Sequence, residues 1–186
     1  MNKRTDVDFS KHELKVIEYN GVLIHEFKIP NTNTHSITFV NTCGIMTVTG
    51  DFGNWVFSRE FHPSAESKGV SGGYWDEKLQ NASVQQSHVF NADQTAKDIM
   101  EFKDSFLEQN GREMNEEEID WIKSLENNCC DEYEYTHLAY RESPNDSDYE
   151  SVPFGTVRHE WLNIVYDAFD AICLYLKIQE SFKQIK

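Results

Sequence analysis

The stretch LKVIEYNGVLIHEFKI, residues 14–29, decides the fold class because it reads as two β-strands joined by a tight turn. Asn20-Gly21 at its centre is the strongest short signal for a two-residue hairpin turn, since both turn positions need a positive φ. Such a turn sets Tyr19 opposite Val22, and it sets position 17 opposite position 24. Apolar side chains occur on both faces, so the hairpin is expected to pack on both sides.

The chain after the hairpin continues as strands. Three stretches are rich in β-branched and aromatic residues, and short turns that contain glycine separate them. Consecutive strands with short connections favour antiparallel pairing. The sequence therefore predicts a meander of about five strands over 13–61, with a short helix at 74–81 and a weakly alternating sixth strand at 84–90. The three stretches are 36–41, 45–49 and 54–61.

The C-terminal half carries helix signals instead. Asn91 with Gln94, and Asn115 with Glu118, have the spacing of a capping box at a helix N-terminus. Strands followed by helices indicate an α+β fold, in which an N-terminal antiparallel sheet of about five or six strands packs against several C-terminal helices. At 186 residues we expect one domain over 1–186, mainly strands in 13–90 and mainly helical in 91–183. The predicted helices are 92–109, 116–127 and 156–183, with 131–142 helical or irregular.

Negative charge is concentrated in one block, residues 98–150. This block holds 17 Asp and Glu residues against 4 Lys and Arg, a net charge of −13. The preceding 97 residues hold 11 against 9, and the last 36 hold 4 against 4. Almost all of the chain's net charge of −15 therefore lies in its middle third.

This charge restricts the kind of partner. A strongly acidic protein repels phosphates and anionic lipid surfaces, so neither direct nucleic-acid binding nor membrane binding is expected. The longest apolar run, Ala171–Leu176, is far shorter than a membrane span, and the N-terminus shows no signal peptide. The sequence predicts a cytoplasmic protein that binds a basic, nucleic-acid-binding protein.

Two interpretations of the acidic block remain open. The first is a solvated surface in which carboxylates complement helix N-termini. The second is a DNA-mimicking surface, because carboxylates on successive helical turns stand about 5–6 Å apart and can imitate a row of phosphates. The candidate partner-binding residues are Asp98, Glu101, Asp104, Glu108, Glu116, Glu117, Glu118, Asp120, Asp131, Glu132 and Glu134.

An aromatic band between Phe52 and Trp75 is the second candidate region. It is either the core of the sheet or a contact patch made by Trp55, Arg59, His62 and Trp75. A further alternative places an active site here, since a loop rich in Gly, aromatic and charged residues can line a pocket. In that case the protein is a hydrolase of an unrecognised family, acting on a nucleotide signal or a host factor through residues near Asp51, Arg59, His62 and Trp75.

No strong catalytic, metal or cofactor motif is present. The adjacent Cys129 and Cys130 lack the C-x-x-C spacing of a zinc site. Asp167 and Asp170 lie one turn apart and are expected on an exposed polar stripe, with a buried acid/base pair as the alternative. The apolar helix 156–183 is predicted to pack on the sheet or to form a homodimer, and a structural, oligomerising protein is the third functional alternative. No catalytic residue, metal or cofactor is predicted.

The segments GDFGNWVFSREFHPS, residues 50–64, and YWDEKL, residues 74–79, resemble a region of small uncharacterised proteins of bacteriophages and prophages. The similarity covers roughly residues 44–88. Small acidic phage proteins without catalytic motifs resemble anti-CRISPR and other anti-defence proteins, many of which occupy the DNA-binding channel of a host nuclease. The resemblance implies an inhibitor of a CRISPR effector nuclease, and it transfers no functional residue.

Overall fold

The protein has an α+β fold, as the sequence predicts, and its described residues form an antiparallel six-stranded sheet and five helices that are mostly C-terminal. The computed structural model describes residues 3–67, 69–82, 87–141, 143–144 and 153–184. The chain divides into two compact units. We name Met1–Ser87 with His159–Lys186 the sheet unit, and His88–Arg158 the acidic unit.

The described residues of the sheet unit form six strands and two helices. The strands are β1 (Glu13–Tyr19), β2 (Val22–Lys28), β3 (Ile37–Thr42), β4 (Ile45–Gly50), β5 (Trp55–Phe57) and β6 (Leu79–Ala82), and the helices are α1 (Gly72–Lys78) and α5 (Glu160–Gln184). Each strand pairs antiparallel with the next, in the order β1 to β6.

The β1–β2 hairpin has the predicted register. Tyr19 pairs with Val22, and position 17 pairs with position 24. Asn20 and Gly21 have φ values of 49° and 78°, the positive range that this two-residue turn requires. The local sequence alone therefore fixes the first pairing of the sheet.

The region after β5 differs from the prediction. Helix α1 covers 72–78 rather than 74–81, and its last residue leads directly into β6. Of the predicted strand at 84–90, residues 83–86 lie outside the described part of the chain. His88–Phe90 forms strand β7, which pairs with β8, Thr156–Arg158, in a separate two-stranded sheet. Strand β8 is distant in sequence, so its pairing with β7 leaves no local signal. The alternating pattern predicted a strand here, but it was counted with the large sheet.

One face of the large sheet packs against helix α5 through aromatic side chains. The Phe39 and Phe169 rings meet edge to face at 5.7 Å between centroids. Trp75 is 3% exposed; its ring stacks on Phe61 at 4.1 Å and contacts Phe169 at 4.7 Å. Helix α5 is thus the central helix of this unit. It packs on the sheet, which was the first of its two predicted arrangements.

The N-terminal segment covers part of α5 with an ion-pair network. Arg4 Nη1 donates to Asp167 at 3.0 Å and to Asp170 at 2.9 Å, and Arg4 Nη2 donates to the Val70 carbonyl at 2.8 Å. The backbone N–H of Thr5 also donates to Asp167, at 2.8 Å. The prediction that Asp167 and Asp170 lie on an exposed stripe is wrong. These carboxylates are buried, and Arg4 of the polar N-terminal segment pairs with both of them.

His25 on β2 makes the stability of the sheet unit dependent on pH. The side chain is buried, and its Nδ1 has no hydrogen-bond partner within the described part of the chain. Burial, with a smaller contribution from the charge of His62, lowers the pKa of His25 to about 4. An unfolded histidine takes up a proton near pH 6.5 while the folded one does not, so stability is full above pH 6.5 and falls as the pH drops towards 4.

We expect this loss to be at most about 3 kcal/mol, since one pKa unit corresponds to about 1.36 kcal/mol. Urea unfolding at a series of pH values measures it. His25→Leu should reduce the slope of the profile between pH 6.5 and 4, and His12, whose pKa burial also lowers, should account for part of the slope that remains. An unaltered profile in His25→Leu would contradict the assignment.

The acidic unit has its own hydrophobic core. Its elements are β7, α2 (Ala92–Asn110), α3 (Glu116–Asn128), α4 (Glu132–Arg141) and β8. The core side chains are contributed by the three helices: Ile99, Trp121, Ile122, Leu125, Tyr135 and Ala139. Because this core is separate, the acidic helices are a packed structure rather than an extension of the sheet.

Both predicted N-caps of the acidic unit are present. The Asn91 side chain accepts from the Gln94 N–H at 2.8 Å, and Asn115 with Glu118 forms the complete reciprocal capping box. Gly155 lies against the start of α2, where an added Cβ would come within 2.1 Å of the Thr95 nitrogen. Only glycine fits there, so this residue fixes the approach of the β8 strand to α2.

Candidate functional site

The division of the chain into two units separates its charge. The acidic unit contains 18 Asp and Glu residues against 6 Lys and Arg, a net charge of −12. The sheet unit contains 14 against 11, a net charge of −3. The charged block of the sequence is therefore also a structural unit with its own core.

Most of the candidate partner-binding carboxylates are at the surface. Asp98 is partly buried and accepts a hydrogen bond from Gln94 Nε2 at 2.7 Å. Glu118 is buried. The other nine are exposed: Glu101, Asp104, Glu108, Glu116, Glu117, Asp120, Asp131, Glu132 and Glu134.

Glu118 has a structural role in place of the predicted binding role. It is 4% exposed and accepts two hydrogen bonds from the Arg112 guanidinium, at 2.7 and 2.6 Å. It also accepts from the Asn115 backbone N–H at 2.9 Å, which closes the capping box. Its charge is compensated within the protein, so Glu118 does not belong to the candidate surface.

Asp131 and Asp120 are exposed but also serve their own helices. Asp131 Oδ1 accepts from the backbone N–H groups of Tyr133 and Glu134, which caps the N-terminus of α4. Asp120 pairs with Lys123 at 2.9 Å across one turn of α3. The solvated-surface interpretation accounts for these two residues, because carboxylates in a first turn or in an i,i+3 pair stabilise a helix.

The outer face of α2 carries carboxylates without such a local role. Glu101, Asp104 and Glu108 follow each other at i, i+3 and i+7, on the side opposite the buried Ile99 and Phe106. All three are exposed, and none makes an ion pair with a residue in the described ranges. Residues at this spacing stand about 5–6 Å apart per turn, so the face presents a row of three negative charges, with the exposed Lys97 one turn before Glu101.

Exposed apolar side chains flank this row on one side. Met100 is 62% exposed and Leu107 is 56% exposed, two turns apart on α2. By helical spacing, positions 99, 102, 106 and 107 form one apolar stripe. Only the packing of the helix shows that Leu107, at the edge of this stripe, stays exposed. Large apolar side chains among carboxylates are typical of a protein-binding surface, since apolar contact adds to charge pairing.

The aromatic band does not form a contact patch as a whole. Trp55 is 0% exposed, with its indole N–H bonded to the Phe52 carbonyl at 2.7 Å, and Trp75 is in the same core. Of the four residues proposed for the patch, Arg59 and His62 are exposed. The core interpretation holds for both tryptophans because each fills the space between the sheet and its helices.

Arg59 and His62 are held by neighbouring side chains. The Arg59 guanidinium lies over the Tyr74 ring, 5.4 Å from its centroid, and donates to the Tyr74 hydroxyl. His62 Nε2 lies 2.9 Å from the carboxylate of Glu60. These are two separate pairs at the surface. Each is explained by a contact between two neighbouring side chains.

The residues of the enzyme alternative are spread over the sheet. Asp51 accepts from the Ser36 N–H, beside the first residue of β3. Phe61, the neighbour of His62, pairs with Asn41 near the other end of β3. Ser36 and Asn41 are five residues apart, or about 16 Å along the strand at roughly 3.3 Å per residue. The structure therefore does not bring Asp51 and His62 together into one site.

The described part of the chain shows neither a metal-binding cluster nor a membrane-spanning helix. Within the described residues, no three His, Cys, Asp or Glu side chains are grouped so that they could hold a metal ion. The Cys129 thiol donates to the Glu126 carbonyl, and burial raises the pKa of Cys129. None of the helices in these ranges is long and apolar enough to cross a bilayer.

No family model, curated protein or solved structure matches this chain. The resemblance of residues 44–88 to phage proteins therefore stays a prediction, and the function is argued from the surface of the acidic unit.

Proposed function

We propose that the protein is an inhibitor that binds the basic nucleic-acid-binding surface of another protein through its acidic unit. The observation that carries the proposal is the separation of charge: a net −12 belongs to one compact unit with its own core, and −3 to the other. Concentrated like charge costs folding free energy through self-repulsion. A cationic partner relieves that cost on binding.

The outer face of α2 supports the nucleic-acid-mimic form of this proposal. Its carboxylates at 101, 104 and 108 repeat at a spacing of about 5–6 Å, comparable with the phosphate spacing along a nucleic-acid strand. Lys and Arg that bind phosphates bind carboxylates by the same charge-assisted hydrogen bonds. Such a partner would bind either this protein or DNA.

The partner we put forward is a CRISPR effector nuclease, with the protein encoded by a phage and acting in the cytoplasm of the bacterial host. This identification rests on the resemblance of residues 44–88 and on the acidic character of the chain. The enzyme alternative lacks a comparable feature, since Asp51 and the neighbour of His62 contact opposite ends of β3.

Competition with DNA tests the proposal. The tagged protein is used to capture proteins from a lysate that contains a CRISPR effector, and the purified effector is then titrated with the protein and with duplex target DNA. We expect mutually exclusive binding, inhibition of DNA cleavage and release at high salt, because ions screen exposed charge pairs. A ternary complex with DNA, or binding that high salt leaves intact, would refute the mimic.

Charge reversal on α2 locates the surface. The triple variant Glu101→Lys, Asp104→Lys, Glu108→Lys should weaken binding by at least about tenfold, since each exposed pair is worth roughly 0.2–1 kcal/mol and reversal adds repulsion. The matched control Glu13→Lys, Glu18→Lys, Glu66→Lys changes the net charge equally, at exposed sites of the sheet unit. Equal losses in both variants would show that total charge, not the α2 face, matters.

A further inference from the structure

The second half of helix α5 carries an apolar stripe that the protein itself leaves uncovered. Leu174, Ile178 and Phe182 are 47%, 46% and 64% exposed and follow each other at i, i+4 and i+8. The first half of α5 is buried in the sheet unit, and Arg4 covers its outward face at Asp167 and Asp170. The stripe begins where that cover ends.

A groove of about 290 Å³ opens beside the start of this stripe. Its apolar lining comes from Val7 and Phe9 of the N-terminal segment and from Ala171 and Leu174 of α5. Its charged lining comes from Lys3, the exposed Asp8 and the buried Asp167 and Asp170. The groove and the stripe share one face of the helix. Apolar surface of this kind is stabilised when an apolar side chain fills it.

The protein's own Phe182 cannot fill this groove. It lies eight residues beyond Leu174 on a continuous helix, or about 12 Å further along the axis. A second copy in antiparallel orientation can fill it, because the spacing is symmetric about Ile178. Leu174 of each copy then lies beside Phe182 of the other, and the two Ile178 side chains meet at the two-fold axis.

We infer that the protein forms an isologous homodimer in which Phe182 of each copy enters the groove between Phe9 and Leu174 of the other. A two-fold interface must be complementary to itself, and the i, i+4, i+8 stripe with its adjoining groove meets that condition. Charge agrees with this occupant: the helix end 174–184 carries Lys177 and Lys183 against Glu180, while the groove is lined by three aspartates, two of them paired with Arg4, against Lys3. This inference rests on the sheet unit and does not depend on the proposed function.

The size of the interface sets its strength. An aromatic side chain buries roughly 150–250 Å² when fully covered, so the partly exposed stripe offers on the order of 300 Å² per copy before the groove is counted. Stable interfaces bury about 800 Å² per partner, so we expect a weak dimer that forms only at high protein concentration.

Sedimentation velocity of the full chain, from nanomolar to high micromolar concentration, tests the inference. We expect a concentration-dependent monomer–dimer equilibrium. Phe182→Ser and Ile178→Lys should each weaken it by at least about tenfold, because the first removes the inserted ring and the second places two like charges at the axis. Tyr19→Ser, which removes an exposed aromatic from β1 of the same unit, should leave the equilibrium unchanged.

Both α5 substitutions are at exposed positions, so circular dichroism should show that the variants remain folded. A protein that is monomeric over the whole range overturns the inference. A dimer that either α5 variant leaves intact also overturns it, because association then uses another face.

Discussion

Replacing Trp75 by Ala should lower the free energy of unfolding of the sheet unit by about 3–5 kcal/mol, the usual cost of deleting a buried large aromatic side chain. The indole is 3% exposed and contacts Phe57, Phe61, Tyr166 and Phe169 at centroid distances from 4.1 to 5.3 Å. Truncation removes all of these contacts and leaves a cavity between α1, the sheet and α5. Chemical denaturation measured by tyrosine and tryptophan fluorescence gives the change.

The same substitution at Trp161 is the matched control. This residue is 37% exposed at the start of α5, so Trp161→Ala should cost much less than Trp75→Ala. The comparison separates the two interpretations of the aromatic band. If Trp75 belonged to a contact patch, its truncation would reduce partner binding and leave stability nearly unchanged, and that outcome would contradict the core assignment.

Removing the Arg4 guanidinium should have an effect of similar size. Arg4→Ala leaves the Asp167 and Asp170 carboxylates buried without their cation, and breaking a buried ion pair in this way costs about 3–5 kcal/mol. It also removes the bond to the Val70 carbonyl, which joins the loop before α1 to the same network. Thermal and urea unfolding should both shift, and limited proteolysis should cut the N-terminal segment sooner.

Lys15→Ala is the control for the loss of a cation. Lys15 pairs with Glu26 at 3.4 Å, but its side chain is 69% exposed, and exposed pairs contribute only about 0–1 kcal/mol. A small effect at Arg4, comparable with that at Lys15, would mean that water satisfies the two aspartates. Arg4→Lys should recover only part of the loss, because an ammonium group lacks the fork that reaches both carboxylates and the carbonyl.

The N-terminal segment therefore links stability to the proposed dimer. Arg4 holds the segment on α5, and Val7 and Phe9, which follow it, form one wall of the groove for Phe182. Arg4→Ala should weaken dimerisation indirectly, through the groove, whereas Phe182→Ser should weaken it without loss of stability. Measuring both properties on both variants distinguishes the anchor of the groove from the side chain that enters it.

The acidic unit illustrates why charge density alone does not define a binding surface. Glu118 and Glu117 are neighbours in one acidic run, yet Glu118 is buried under Arg112 and Glu117 is exposed. The α2 row at 101, 104 and 108 stands out because its carboxylates lack local partners in the described ranges and are flanked on one side by exposed Met100 and Leu107. These residues are the first that mutagenesis of the proposed interface should address.

The sequence by itself determined the features that depend on near neighbours. The Asn20-Gly21 turn sets the register of β1 and β2, and Asn91 and Asn115 begin α2 and α3, because turns and caps are satisfied within four residues. The order of strands and helices gave the α+β class for the same reason. The acidic block was also evident, since charge is additive along the chain.

Only the tertiary structure decided which polar and apolar side chains are covered. Arg4 contacts Asp167, which is 163 residues away, and β7 pairs with β8 across 65 intervening residues. No local sequence pattern predicts either contact. Packing against elements that are distant in sequence buries Trp75 in the core and leaves Leu107 exposed. Burial is a property of the whole fold. The sequence could therefore assign the candidate surface to the acidic block, but only the tertiary structure could narrow it to the outer face of α2.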